Sequence, residues 1–230
     1  MTRLALQSAP AQSATRLALC LPQTETVRAE YMRSVSLMTL HLGVLNQGIE
    51  DVQILCCSGS ILPKVRQVLA ERAIEQHGVT HLLWIDADHA FPSDTAHRLL
   101  AHGRPWVGIN ATTRAAPIKP TALKKPGEPL GTARHSKGLE RVWRMGFGIV
   151  MIEARVFQSM PKPWFLLEYF EKDGEAGYMG EDIYFCEKAK QYGFQPMVDH
   201  DLTKETDHIG SMGFNTSILE EARKPTSIEW

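Results

Sequence analysis

Long hydrophobic runs are missing from this sequence. Its longest apolar stretches, such as HLLWI (81–85) and GIVMI (148–152), are about five or six residues, far short of the roughly 18–20 that a helix needs to cross a bilayer. No membrane span is expected. The opening MTRLALQSAPAQSAT has one Arg and a brief LAL, too little for a signal-peptide core. Residues 1–14 therefore read as a flexible tail and 215–230 as a second one. Cysteine is sparse too: Cys20, Cys56, Cys57 and Cys186 show no CxxC spacing and mostly sit in apolar patterns. They read as buried reduced thiols, which fits a cytoplasmic setting. Internal repeats and low-complexity segments are also lacking, so one domain is expected over 15–214.

Net charge is nearly absent, at −1 over 230 residues, but it is unevenly spread. Residues 1–113 balance to zero, 114–144 carry +6 and 145–230 carry −7. A basic middle segment suggests an anionic ligand nearby, with a solvated basic loop as the plainer explanation.

What is present is a regular alternation in the first half. TRLALCL (15–21) reads as a strand, 26–42 as a helix, DVQILCC (51–57) as a strand, and 62–78 as a helix with Pro63 in its first turn and Gly78 at its end. HLLWID (81–86), a helix closed by Gly103, and PWVGIN (105–110) continue the series. Such alternation predicts an α/β domain with a mostly parallel sheet and helices on both faces, its ligand beyond the carboxyl ends of the strands. The later chain is less regular. Residues 111–139 read as a long loop, and 140–157 as two strand pieces around Gly146 and Gly148 leading into a short helix. GEDIYFCEKAKQYG (180–193) reads as a helix, FQPMVDHD (194–201) as a last strand and KETDHIG (204–210) as a polar loop.

The third strand ends in Asp86-Ala87-Asp88-His89, three ionisable groups within four residues. Residues i and i+2 of a strand point the same way, so Asp86 and Asp88 could converge on one cation. The pattern alone is weak: with 9 Asp in the chain, chance supplies an Asp-x-Asp in about one such chain in three. A second copy stands at Asp199-His200-Asp201. That cluster, with Asp207 and His208, is a rival metal site.

Five motifs in order carry a resemblance: HLLWIDADHAF (81–91), GFGIVMI (146–152), PWF (163–165), GEDIYFCEKAKQYGF (180–194) and HIG (208–210). Over about residues 15–214 the chain resembles GT-A-fold glycosyltransferases, closest to small bacterial and bacteriophage-type members. The resemblance implies a Rossmann-like α/β fold with a nucleotide-binding half (15–110) and a smaller, irregular acceptor and catalytic half (111–214). It implies that Asp88 ligates a divalent metal, that Asp86 touches ribose or metal, and that His208 completes the metal site. Asp182 matches a general base, with Glu181 beside it; the plainer role for both is as first-turn acids of a helix. Pro22, Gln23 and Thr24 match the nucleotide cradle, Ser58 would meet the base, and Ala87 lies within the metal element. Arg66 matches an Arg-Asn pair facing phosphates or metal acids, although Gln67 stands where the Asn would be. Gly146, Phe147 and Gly148 match a strand passing close to the donor sugar.

The chemistry suits these residue types. Transfer from a nucleotide sugar builds negative charge on the departing diphosphate, which a divalent cation and basic side chains stabilise. Two carboxylates and an imidazole favour Mn²⁺ over Mg²⁺. A UDP-sugar is the expected donor. The acceptor is a hydroxyl group, with DNA containing modified bases, a glycan or a protein all open. Two alternatives stand beside this reading. One is a nucleotidyltransferase on a similar fold, against which LPQTETVR, the segment after the first strand, has no glycine. The other is a nucleic-acid or anion-binding protein using 114–144, although that segment lacks regularly interleaved aromatics.

Overall fold

The alternating side-chain direction of the central strands explains why helices cover both faces of the sheet. In the computed structural model, which describes residues 14–210 apart from 46–47, 115–116 and 173–174, even and odd positions of these strands enter different cores. Ala18, Cys20, Leu82, Trp84, Val150 and Ile152 lie in one. Leu17, Leu19, Leu83, Ile85, Ile149 and Met151 lie in the other. The tails expected at 1–14 and 215–230 fall outside the described residues, save Ala14.

The first half runs β1 (Thr15–Gln23), α1 (Ala29–Val44), β2 (Ile49–Ser58), α2 (Leu62–Glu71), β3 (His81–Ile85), β4 (His89–Ala90), α3 (Thr95–Ala101) and β5 (Trp106–Gly108). The helix expected over 62–78 is split, because α2 passes into a π-helical turn at Arg72–Gln76 before Gly78 turns the chain at φ +57°. α1 and α3 bury Met38, Leu42, Ala96 and Leu99 on one face of the sheet, and α2 buries Val65 and Leu69 on the other.

The second half holds β6 (Leu123–Lys125), β7 (Glu128–Pro129), β8 (Leu139–Arg141), β9 (Ile149–Glu153), α4 (Ala154–Gln158), β10 (Glu168–Lys172), β11 (Glu175–Met179), α5 (Glu181–Gln191), β12 (Met197–Asp199), α6 (His200–Thr203) and β13 (Asp207–His208). The loop expected over 111–139 thus contains a small β6–β7 hairpin, and the strand expected over 194–201 gives way to α6 after Asp199. The polar loop 204–210 contributes β13, which pairs antiparallel with β4.

The main sheet has the order β2-β1-β3-β9-β5-β12-β8. β2, β1, β3, β5 and β12 run one way, while β9, between β3 and β5, and β8, at the edge, run against them. It is mostly parallel, as expected, but a later strand is threaded into its centre. Beyond β1 the chain goes to β2 on one side and returns to β3 on the other. The crevice at the carboxyl ends of β1 and β3 is the ligand position such sheets favour.

Two expectations about burial need correction. Among the cysteines, all free, Cys20 and Cys186 are buried, Cys57 is half-buried and Cys56 is exposed at the end of β2. Phe147 does not border a ligand crevice; it is buried in an aromatic cluster, with ring centroids 5.2 Å from Phe185 and 5.5 Å from Phe165.

Candidate active site

β3 stops at Ile85, and Asp86 to Asp88 follow as a loop and turn. The two-residue strand period therefore no longer governs where their carboxylates point. Asp86 turns toward α2, where both its oxygens accept from Arg66 Nη2 at 2.9 and 3.0 Å. Arg66 Nε donates to Glu181 Oε1 at 3.0 Å, so one guanidinium ties the end of β3 to the start of α5. Arg66 is only 2% exposed and lies over the Phe147 and Trp84 rings, 5.1 and 5.8 Å from their centroids. A buried cation of this kind is held by its two carboxylates and the ring faces. Burial raises the pKa of Asp86, opposed by the Arg66 charge, and the balance is upward.

Gln67, which stands where the resemblance expects Asn, does not face these acids. Its side-chain oxygen accepts from Trp164 N at 2.8 Å and so fastens the PWF segment to α2.

Asp88 turns the other way. His89 Nδ1 lies 3.0 Å from its Oδ1, and His208 Nε2 lies 3.2 Å from its Oδ2. The β4–β13 pairing places His208 directly opposite His89, and the two rings stack at 4.3 Å. Ligand atoms of Asp88, His89 and His208 all fall within 4.8 Å of one another, the one such group of potential metal ligands among the described residues. The donor set therefore differs from the expected one, with His89 in it and Asp86 outside. A residue next to Asp88 on a strand would point to the opposite face, so strand periodicity does not single out His89.

Three observations show that this group suits a divalent cation. Asp88 Oδ1 and both ring nitrogens of the buried His89 have no hydrogen-bond partner among the described residues, despite the 3.0 Å approach. Unpaired buried polar atoms of this kind call for a ligand. His208 Nδ1 contacts the Thr112 carbonyl oxygen. A carbonyl only accepts, so Nδ1 carries a proton, and Nε2 is the ring nitrogen that faces Asp88 and would face a metal there. Third, burial would raise the Asp88 pKa, but His89 and then His208 outweigh it and hold the carboxyl well below the ordinary range. A methyl at Gly148 would stand 2.7 Å from His89 Nε2, so the glycine makes room for that ring.

A cavity of about 720 Å³ opens beside the group. Pro22, Gln23 and Thr24 from the end of β1, Gly59 after β2, Asp86 to Asp88, Arg114 and His208 line it. Its volume falls within the range of small-ligand sites. Ser58 does not reach it and borders a neighbouring cleft of about 200 Å³. Arg114 Nη1 donates to Asp88 Oδ2 at 2.9 Å from within the cavity.

Asp182 sits in the first turn of α5, half-buried, with Oδ1 accepting from Ile183 N at 2.7 Å. Burial and then the adjacent Glu181 charge push its pKa up to about 6. Neither Asp182 nor Glu181 lines the cavity. A methyl at Gly146 would press on Thr121 Oγ1 at 3.1 Å and stand in ordinary contact, 3.7 Å, with Asp182 Oδ2.

The second Asp-x-Asp is used differently. Asp199 Oδ1 caps α6, accepting from Asp201 N at 2.8 Å and Leu202 N at 2.9 Å, and Oδ2 meets His102 Nε2 at 2.8 Å. Asp201 accepts from Gly138 N and Lys204 Nζ. These carboxylates do not gather with His208.

Four of the eight basic residues of the segment 114–144 are paired: Arg114, Lys124, Lys125 and Arg144 with Asp88, Glu140, Glu128 and Glu187. Trp143 is covered by Arg144 at 3.8 Å and Lys190 at 5.0 Å, so its ring is no open stacking platform.

No family model and no curated protein matches the sequence. Solved structures do match the fold. Protein A197 from STIV superposes with a TM-score of 0.54 at 13% identity, covering 87% of this chain and 99% of that one. The catalytic domain of a Drosophila β1,4-galactosyltransferase 7, solved with xylobiose, gives 0.50 at 16% identity over 93% and 82%. GalNAc-T7 with UDP, GalNAc and Mn²⁺ gives 0.53 at 15% identity, over 86% of this chain and 43% of that one. The fold is thus the GT-A fold of nucleotide-sugar glycosyltransferases. Among the described residues, no helix is long and apolar enough to cross a membrane.

Proposed function

We propose that this chain is a metal-dependent glycosyltransferase that moves a sugar from a nucleoside diphosphate donor, preferentially a UDP-sugar, to an acceptor hydroxyl. The observation that carries the reading is the convergence of Asp88, the buried His89 and His208, with Asp88 and His208 on the wall of a cavity of small-ligand size. Its position, at the carboxyl ends of β1 and β3, agrees with that role. One carboxylate with two imidazoles favours Mn²⁺ over Mg²⁺, since imidazole suits the softer ion. When bound, the cation would neutralise charge on the diphosphate oxygens as the leaving group departs.

The chain's own residues supply the rest. Pro22 to Thr24 border the nucleotide, and Arg66 fixes Asp86 on the cavity wall and Glu181 outside it. Asp182 takes the acceptor's proton as the hydroxyl oxygen bonds to the anomeric carbon and the bond to the diphosphate breaks, the diphosphate leaving with the electron pair. A carboxyl with pKa about 6 is suited to that proton near neutral pH, and this favours inversion at the anomeric carbon. Glu181 positions Arg66 and is not the base.

A thermal-shift series with nucleoside diphosphates, with and without Mn²⁺, tests the reading. A rise in melting temperature with UDP only when Mn²⁺ is present is expected. No response to any nucleotide in Mn²⁺ would overturn it.

A further inference from the structure

Arg114 occupies an unusual place for a side chain that is 49% exposed. It reaches into the cavity and donates to Asp88 Oδ2 at 2.9 Å, the same oxygen that His208 Nε2 approaches at 3.2 Å. A guanidinium and a divalent cation cannot both settle against one carboxylate oxygen without strong mutual repulsion. Arg114 sits on Oδ2 beside the unpaired Oδ1, so its charge opposes a metal anywhere on this carboxylate. Its exposure makes the contact easy to release, because surface ion pairs are weak. Once released, it remains on the wall of the cavity beside any bound diphosphate, where a guanidinium can take two phosphate oxygens at once.

We infer that Arg114 is an exchangeable counter-ion: it neutralises Asp88 in the free protein and passes to the donor's diphosphate when Asp88 takes the metal. This rests on the donor reading above. The exchange makes metal binding conditional on the nucleotide. Alone, a cation must displace Arg114 into water; with the diphosphate present, Arg114 moves from one anion to another. Metal and nucleotide then assist each other's binding, and by linkage each does so by the same factor.

The test measures Mn²⁺ affinity without nucleotide, and UDP affinity in saturating Mn²⁺, for the wild type, Arg114→Gln and Arg28→Gln. Arg28 lines the same cavity, and its replacement removes an equal charge without touching Asp88. Arg114→Gln is expected to bind Mn²⁺ alone roughly 3- to 5-fold more tightly and UDP at least about tenfold more weakly. The factor by which UDP tightens Mn²⁺ shrinks accordingly. Arg28→Gln is expected to weaken UDP while leaving Mn²⁺ affinity within about twofold, because no partner of Asp88 is lost. If Arg114→Gln leaves Mn²⁺ affinity unchanged or lowers it, the exchange is wrong. If Arg28→Gln tightens Mn²⁺ equally, the effect is a general field and the exchange is again wrong. In both cases UDP binding by the wild type would keep the donor reading intact. Failure of the wild type to bind UDP in Mn²⁺ would overturn the donor reading and the exchange with it.

Discussion

The chain contains the same short pattern twice, and the two copies do different work. Asp86-Ala87-Asp88 meets side chains: Arg66 on one carboxylate, and His89, His208 and Arg114 around the other. Asp199-His200-Asp201 meets mainly backbone N–H groups, those of Asp201 and Leu202 on the first carboxylate and of Gly138 on the second. Backbone donors come fixed with the fold, so the second copy is tied to a helix start and a loop. Side-chain partners can move or give way to a ligand. The kind of partner, and not the acidic pattern, separates a binding site from a cap.

The sharpest break of this comparison is Asp88→Ala. Donor hydrolysis or transfer in Mn²⁺ is expected to fall by about 10³-fold while the melting temperature hardly moves. Near wild-type turnover would move the metal away from Asp88. Next in size is Arg66→Met, which leaves Asp86 and Glu181 without their buried partner. Urea denaturation should show a loss of about 3–5 kcal/mol, and a loss under 1 kcal/mol would mean that the guanidinium does not hold these acids.

Asp199→Ala should give the mirror image of Asp88→Ala. Loss of the α6 cap is expected to lower stability by about 1–2 kcal/mol with Mn²⁺ affinity unchanged, as read by denaturation and by metal titration of one sample. A marked fall in metal affinity would instead join the second acidic cluster to the site.

The smallest effect concerns Asp182, whose pKa is raised from 3.8 to about 6. The folded state holds this proton more tightly than the unfolded chain, so stability falls as pH rises through about 4 to 6 and is level above. Asp182→Asn should therefore stabilise the protein at pH 7–8 by roughly 1–2 kcal/mol, a gain that fades as pH drops through about 6 toward 4. Transfer by the wild type should rise about tenfold per pH unit below 6 and then level off, because the base must be deprotonated. The same ascending limb in Asp182→Asn would assign it to another group.

Much of this was legible in the sequence. The alternation of Leu17 and Leu19 with Ala18 and Cys20, and of Leu83 and Ile85 with Leu82 and Trp84, determined strands with two buried faces, and the helical stretches between them determined what covers each face. Punctuation by Pro63, Gly78 and Gly103 set the rhythm, and the break from Ile85 into Asp86 marked the strand end where a ligand could bind. All of these are local facts, fixed by side-chain direction and backbone preference within a few residues. What only the tertiary structure decided are the partnerships across long stretches of chain. β9 enters between β3 and β5, Arg66 claims Asp86 and Glu181, and β13 carries His208 to His89 and Asp88. Arg114 comes to rest on the same carboxylate. Periodicity cannot announce such meetings, because a carboxylate in a turn takes whichever cation the packed chain delivers to it.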